Sequence, residues 1–313
     1  MQNKIVFLDA SSLGENNLKD KLQQLGTYTE YQTTSPDETL SRCKEANIVL
    51  TNKVILDKEI LNALKDTLKL VCITATGMNN VDLQTAKNLG IEVKNVAGYS
   101  TKSVAQHTLM MALALSAKLP FYDSYCKSGE YAKSPIFTNL STPLELLNGK
   151  KWGIIGLGTI GLEVARLANA FGAEVNYYST SGKNQNPNYT SLPLDALLQT
   201  SSIISIHAPL NEATQDLINK NNLCKIKEGG ILINVGRGGI VNEKDLAEEM
   251  QKREIYAGFD VFTKEPMIEN HPFLNPKIAN QLILTPHNAW GYEDSKEILI
   301  QGVLKNIQEF LAK

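Results

Sequence analysis

Short apolar runs recur along this chain, each followed by a segment whose apolar residues return at helical spacing. The runs at 4–8, 48–50, 68–73 and 91–94 predict strands, and the segments between them, such as 18–25 and 79–89, predict helices. A long helical pattern at 101–119 carries Val104, His107, Thr108, Met111, Ala112 and Leu115. The alternation then resumes, with strands expected at 152–155, 174–178, 202–207, 230–234, 256–261 and 282–284. A last helix is expected over about 294–311, with Ile298, Leu299, Val303, Ile307 and Leu311 on its apolar face. Repeated strand–helix units put successive strands parallel and cover both faces of the sheet. The expected fold class is therefore α/β, with two doubly wound parallel-sheet domains. Residues 120–148, from Pro120 through Ser134-Pro135 and Thr142-Pro143, interrupt the pattern. They are expected to be irregular, and their length exceeds that of an ordinary loop. A dimerisation arm is the functional reading of that stretch.

Composition narrows the picture. A length of 313 residues, 42% of them hydrophobic, suits two domains with ample cores. The net charge of −2 and the lack of a basic block argue against nucleic acid or a membrane surface as partner. No apolar run approaches the ~18 residues of a membrane span. The opening MQNKIVFLDA lacks the apolar core and small-residue cleavage site of a signal peptide and reads as a first strand. The cysteines, Cys43, Cys72, Cys126 and Cys224, are far apart and form no metal-ligand spacing. Isolated buried thiols, no metal and a cytoplasmic location are expected.

The stretch 151–179 holds the most specific signal. An apolar run ends in Gly156-Leu157-Gly158-Thr159-Ile160-Gly161, a helical pattern follows, and a second strand pattern runs to Tyr178. This is the context a dinucleotide fingerprint requires. Gly156 permits the tight turn, Gly158 admits a pyrophosphate to the backbone, and Gly161 lets helix and strand pack closely. The helix N-terminus offers N–H donors and a positive dipole end to the phosphates. Residues 100–287 are thus expected to form a Rossmann nucleotide-binding domain. Residues 1–99, which lack a glycine fingerprint, are expected to join 288–313 in a flavodoxin-like substrate domain. In that domain Thr74-Ala75-Thr76-Gly77-Met78-Asn79-Asn80 follows a strand at its carboxyl end. Its backbone N–H groups could hold a small carboxylate; an ordinary turn capped by Asn79 or Asn80 is the plainer reading.

Polar residues stand at or just past the ends of successive later strands: Arg237, Asp260, Glu265 and His287. That edge is where a bound nicotinamide would lie. One arginine, one acid and one histidine suit hydride transfer at a carbonyl. The histidine serves the hydroxyl proton as general acid or base, the acid orients it, and arginine clamps a carboxylate or polarises the carbonyl. The other histidines read differently. His207 caps a strand near the nucleotide, His107 within the long helix is a packed or interface histidine, and His271 lies in a Pro-containing, solvated stretch. Trp290 either shapes a substrate pocket or packs at the hinge.

At these residues the chain resembles the D-isomer-specific 2-hydroxyacid dehydrogenases, over almost its whole length. The resemblance is carried by the fingerprint, Ile233-Asn234-Val235-Gly236-Arg237-Gly238, Gly258-Phe259-Asp260-Val261-Phe262 with Glu265-Pro266, and Thr285-Pro286-His287. It implies that Arg237, Glu265 and His287 are the catalytic set and that Asp260 holds the nicotinamide carboxamide. It implies that the amides around Thr76 and Gly77, with Arg237, receive the substrate carboxylate. Val104, Thr159, Ile160, Pro209, Thr214 and Val235 map to cofactor-contact positions. The run from Ala97 to Gln106, Ser134-Pro135 and Asn288-Ala289-Trp290 is similar to the glycerate dehydrogenase, or hydroxypyruvate reductase, branch; Gln106 stands where many members have Glu. The activity implied is reduction of hydroxypyruvate or glyoxylate to the D-2-hydroxy acid with NAD or NADP, by a homodimer. The alternatives are another member such as D-lactate dehydrogenase, or a nucleotide-sensing corepressor. NAD-specific relatives carry an Asp at the end of the second nucleotide strand. Here that position is Ser179, followed by Thr180, Ser181, Gly182 and Lys183, so no carboxylate repels a 2′-phosphate.

Overall fold

The computed structural model describes residues 3–313. The chain divides into two compact units, one running up to Ser100 and taking in Gly291–Lys313, the other Thr101–Trp290.

The first unit holds five parallel strands: β1 (Lys4–Phe7), β2 (Thr27–Glu30), β3 (Ile48–Thr51), β4 (Leu70–Ile73) and β5 (Glu92–Lys94). Their order, β2-β1-β3-β4-β5, is the flavodoxin-like one. Ile-Val-Leu-Thr in β3 and Leu-Val-Cys-Ile in β4 are buried at every residue, as continuous apolar runs in a sheet covered on both faces should be. The sequence pattern does not announce β2, because this edge strand reads Thr-Tyr-Thr-Glu and is half exposed. Helices α1 (Leu18–Gln23), α2 (Pro36–Cys43), α3 (Lys58–Ala63) and α4 (Leu83–Asn88) connect the strands. Asp82, not Asn79 or Asn80, caps α4 by accepting the Thr85 N–H at 2.9 Å, so the helix starts later than expected. The Asn80 side chain instead donates to the Val54 carbonyl at 3.0 Å.

The second unit opens with α5 (Thr101–Ser116), which ends before Lys118, a residue in the left-handed region at φ 51°. A second helix, α6 (Leu119–Lys127), then occupies part of the stretch expected to be irregular. Its Pro120 lies in the first turn, where a missing N–H costs nothing and the fixed φ suits a helix. Seven parallel strands follow: β6 (Lys151–Ile155), β7 (Glu174–Tyr178), β8 (Thr190–Ser191), β9 (Ile203–Ile206), β10 (Gly230–Asn234), β11 (Ile255–Phe259) and β12 (Leu282–Leu284). The order is β12-β11-β10-β9-β6-β7-β8, so the direction of winding reverses beside β6. That reversal is the topological switch point where open α/β sheets bind ligands. Helices α7 (Thr159–Ala170), α8 (Leu194–Thr200) and α9 (Glu243–Met250) complete the layers. One face packs Leu197, Ile204, Leu232 and Phe259; the other packs Met111, Trp152, Val164 and Ile233 under α5 and α7. Trp152 is fully buried and its Nε1–H donates to Ser205 Oγ at 2.9 Å. Truncating it to alanine should cost about 3–5 kcal/mol.

The last helix, α10 (Glu293–Leu311), belongs to the first unit. There Asn306 Nδ2 donates to the Asn95 carbonyl at 2.9 Å, and Lys94 pairs with Glu309 at 3.0 Å. No helix among the described residues is long and apolar enough to cross a membrane. Of the four cysteines, Cys126 and Cys224 prove to be exposed rather than buried.

Candidate active site

The fingerprint turn is built by exclusion. Gly156 sits at φ 90°, and a Cβ there would fall 2.8 Å from the Ala208 N, so the end of β6 touches the loop after β9. A Cβ at Gly161 would lie 2.4 Å from the Gly156 carbonyl oxygen, which explains how α7 packs so tightly on its strand. Gly158 is different, because a Cβ there would meet nothing within 4 Å. It opens onto space at the N-terminus of α7, where Gly158 and Thr159 are exposed and Ile160 is half-buried. Open room and unpaired helical N–H groups at a switch point fit a dinucleotide pyrophosphate.

Around that turn, several of the expected contact residues have supporting places in the fold. Thr214 is fully buried, and its hydroxyl donates to the Pro209 carbonyl at 2.7 Å and accepts the Asn211 N–H at 2.8 Å. It therefore holds the loop carrying Pro209. Val104 and Val235 are buried in the core below the site. Ser179 and Thr180 end β7 in a turn in which Gly182 N–H donates to the Ser179 carbonyl at 3.2 Å. Asn184, which carries no signal in the sequence, ties this turn to the fingerprint by donating to the Leu157 carbonyl at 3.2 Å.

The strands β10, β11 and β12 are neighbours, and the turn after each carries expected site residues. After β10, the buried Asn234 accepts the Gly236 N–H at 3.1 Å and donates to the Arg237 carbonyl at 2.9 Å, folding the turn that presents Arg237. The Arg237 Nη1 donates to the Gly236 carbonyl at 2.8 Å, and a guanidinium has further donors in a fixed fork. Gly238 lies flat against the next loop, since a Cβ there would overlap the Phe262 carbonyl at 1.9 Å. The loop bearing Arg237 is thus packed directly on the loop bearing Glu265.

In that second loop Glu265 Oε1 accepts the Phe262 N–H at 3.0 Å, and Oε2 stands 2.6 Å from His287 Nδ1. Both side chains keep some exposure, 23% for His287 and 31% for Glu265. A carboxylate only accepts, so His287 donates from Nδ1 and is left with Nε2 for a ligand. His287 also sits in the left-handed region at φ 53°, an unusual backbone state of the kind found at functional turns.

Asp260 begins the same loop and is 1% exposed. Its Oδ1 accepts from Thr285 Oγ1 at 2.6 Å and Asn288 N–H at 2.9 Å, and its Oδ2 accepts from Ala289 N–H at 3.0 Å. One carboxylate therefore stitches the segment after β12 to the end of β11. His107 joins this network, with Nε2 3.0 Å from Thr285 Oγ1. Burial lowers its pKa against the opposing pull of the Asp260 charge.

One histidine departs from the expectation. His271 is buried rather than solvated, and its Nε2 is 2.9 Å from Glu243 Oε2. Glu243 Oε1 in turn accepts from the N–H and the hydroxyl of Thr263 at 2.7 and 3.0 Å. The pair thus anchors the loop between Asp260 and Glu265 from behind. A partner 28 positions away leaves no local signal, and Pro272 gives the stretch the look of a surface loop. His207 Nε2 stands 3.0 Å from Ser205 Oγ, which also accepts the Trp152 Nε1–H. Its Nδ1 is buried with no partner among the described residues, and desolvation pushes its pKa down to about 3.

In the first unit, Thr76 and Gly77 follow β4 as expected. Thr76 is exposed; its hydroxyl donates to the Val96 carbonyl at 3.1 Å and its own carbonyl accepts from Asn95 Nδ2 at 2.6 Å.

The family model for the D-isomer specific 2-hydroxyacid dehydrogenase NAD binding domain matches residues 109–289, more than half of the chain. The chain belongs to that family. This D-2-hydroxyacid dehydrogenase is 35% identical to the hydroxypyruvate reductase of Blautia hydrogenotrophica, over 98% of its own length and 97% of the relative's. It is 33% identical to the glycerate dehydrogenase of Methylorubrum extorquens, over 100% and 97% of the two chains. The D-lactate dehydrogenase of Aquifex aeolicus, solved with NAD and lactic acid, superimposes with a TM-score of 0.83 at 26% identity, covering 99% and 96%. The dehydrogenase stands in the glycerate dehydrogenase and hydroxypyruvate reductase branch, and its cofactor is a nicotinamide dinucleotide.

Proposed function

We propose that this enzyme reduces a small 2-oxo acid, hydroxypyruvate or glyoxylate, to the D-2-hydroxy acid, with His287 as the general acid. The observation that carries this reading is the 2.6 Å contact of His287 Nδ1 with Glu265, on a loop packed against the Arg237 turn. The bound reduced nicotinamide supplies the hydride. The chain does the rest. Glu265 fixes the imidazole so that Nε2 gives its proton to the carbonyl oxygen as that oxygen becomes a hydroxyl. The Arg237 fork clamps the substrate carboxylate and polarises the carbonyl. Gly158, Thr159 and Ile160 receive the pyrophosphate, Ser179 and Thr180 meet the adenosine ribose, and Asp260 takes the carboxamide N–H.

We further propose that the turn after β7 admits NADPH, since Ser179 lacks the repelling carboxylate and Lys183 adds a cation. The active species is a homodimer built on α5 and α6. The test of the activity is loss of NADH and NADPH absorbance with a panel of 2-oxo acids. Turnover should be fastest on hydroxypyruvate or glyoxylate. Fastest turnover on pyruvate would make it a D-lactate dehydrogenase, and no turnover on any would overturn the catalytic reading.

A further inference from the structure

We infer that His107 is a positioning residue for the nicotinamide end of the cofactor, acting through the Thr285 hydroxyl to fix the Asp260 carboxylate. The inference rests on the reading of Asp260 as the carboxamide's partner. The direction of each hydrogen bond follows from the protons available. A hydroxyl has one proton, and at 2.6 Å from a carboxylate oxygen Thr285 must give that proton to Asp260 Oδ1. The same hydroxyl can then only accept at its 3.0 Å contact with His107, so His107 carries its proton on Nε2. The order of donation is His107 to Thr285 to Asp260, and each bond polarises the next. His107 Nε2 is 3.9 Å from Asp260 Oδ1, so it acts on the acid through Thr285 rather than by a direct bond.

The orientation of the carboxylate follows. Oδ1 takes two donors, Thr285 and the Asn288 N–H, which together use its two lone pairs. Oδ2 takes the Ala289 N–H and keeps one acceptor site for the carboxamide. Without the Thr285 donor the carboxylate is held by the Asn288 and Ala289 N–H groups alone, so it can shift about its Cβ–Cγ bond and carry the Oδ2 acceptor with it. The scaffold beneath is rigid. Met111 lies one turn along α5 from His107 on the same helix face. Its side chain packs where a Cβ of Gly258 would fall, 2.9 Å from the sulfur. Gly258 therefore lets α5 sit close on β11 and sets His107 over the strand end from which Asp260 departs.

The test compares two dinucleotides by fluorescence titration: NADH, and reduced 3-acetylpyridine adenine dinucleotide, whose methyl ketone has no N–H for Asp260. Wild type should bind NADH the tighter. His107→Phe and Thr285→Val should each shrink that preference about tenfold. His107→Gln, whose amide can still donate to Thr285, and Thr285→Ser should keep it. Equal weakening of both dinucleotides, with the preference intact, is what a merely structural histidine would give, and it overturns the inference. Asp260→Asn separates the two layers. If the preference survives that change, or wild type shows none, the reading of Asp260 is wrong. If Asp260→Asn abolishes it while His107→Phe and Thr285→Val do not, the inference about His107 alone fails. Should His107→Phe not fold, Thr285→Val and Thr285→Ser decide the question between them.

Discussion

His287 joins an unusual backbone state to a single strong contact, at φ 53° and 2.6 Å from Glu265. Histidine is among the side chains that enter the left-handed region most readily, so the turn tolerates it there. General acid catalysis contributes roughly 10²–10⁴ in rate. His287→Ala should therefore lower kcat by about 10²-fold or more while NADH titrations change little; near-normal turnover would remove His287 from the mechanism. His207 shows the opposite use of the same residue type. It is held neutral, with its pKa pushed down to about 3 by desolvation. The unfolded chain binds this proton at the ordinary value near 6.5, so its contribution to stability is complete above that pH. Stability is then lost as pH falls from 6.5 towards 3, at up to about 1.4 kcal/mol per unit. Thermal melts of wild type and His207→Gln between pH 7 and 4 should converge towards acid, because the variant lacks this loss; parallel curves would show that His207 does not titrate on unfolding.

At the scale of elements, the proposed acceptance of NADPH rests on the turn closing β7. That turn is fixed by the Gly182 N–H on the Ser179 carbonyl and by Asn184 on Leu157, so a side chain at 179 is carried on an ordered frame. Discrimination between dinucleotides is a difference of affinities and often uses a repulsive group. Ser179→Asp should raise KM for NADPH and spare kcat, because the ribose is remote from the hydride. A wild type that already rejects NADPH by more than roughly 10³-fold, about 4 kcal/mol, would place the discrimination elsewhere. Elements such as β6, β10 and β11 are legible in the sequence because buried parallel strands are nearly uninterrupted apolar runs. The edge strand β2 is not, since its side chains are half exposed and its partner β1 supplies the pairing. Helix α6 is hidden because Pro120 looks like a breaker when it in fact stands in the first turn. The residues assigned to the candidate site are picked out in the sequence by Gly, Arg, Asp and His after strands. Their supports, Asn234, Glu243, His271 and Asn184, are not, because each acts through a contact that tertiary folding creates.

At the scale of the whole molecule, the second unit leaves apolar surface uncovered on one stretch of chain. Met110, Leu113 and Leu119 on α5 and α6 are 40%, 36% and 55% exposed, and Ile136, Phe137 and Leu140 are 62%, 89% and 73% exposed. Single exposed apolar residues need no explanation, whereas a contiguous apolar surface marks an interface. Between helical turns, Leu109, Met110, Leu113, Ala114 and Ala117 line one shallow groove with Leu119 at its end. Burying a large apolar side chain contributes about 1.5–3 kcal/mol, so two or three such residues from each copy can offset much of the cost of association. Light scattering should give a mass of twice 34.5 kDa at micromolar concentration. A closed two-fold interface applies each substitution twice. The double variant Met110→Glu, Leu113→Glu should therefore run as a monomer, and the wild type alone should melt higher as its concentration rises. A monomeric wild type with a concentration-independent melt would mean that this surface meets something other than a second copy of the chain.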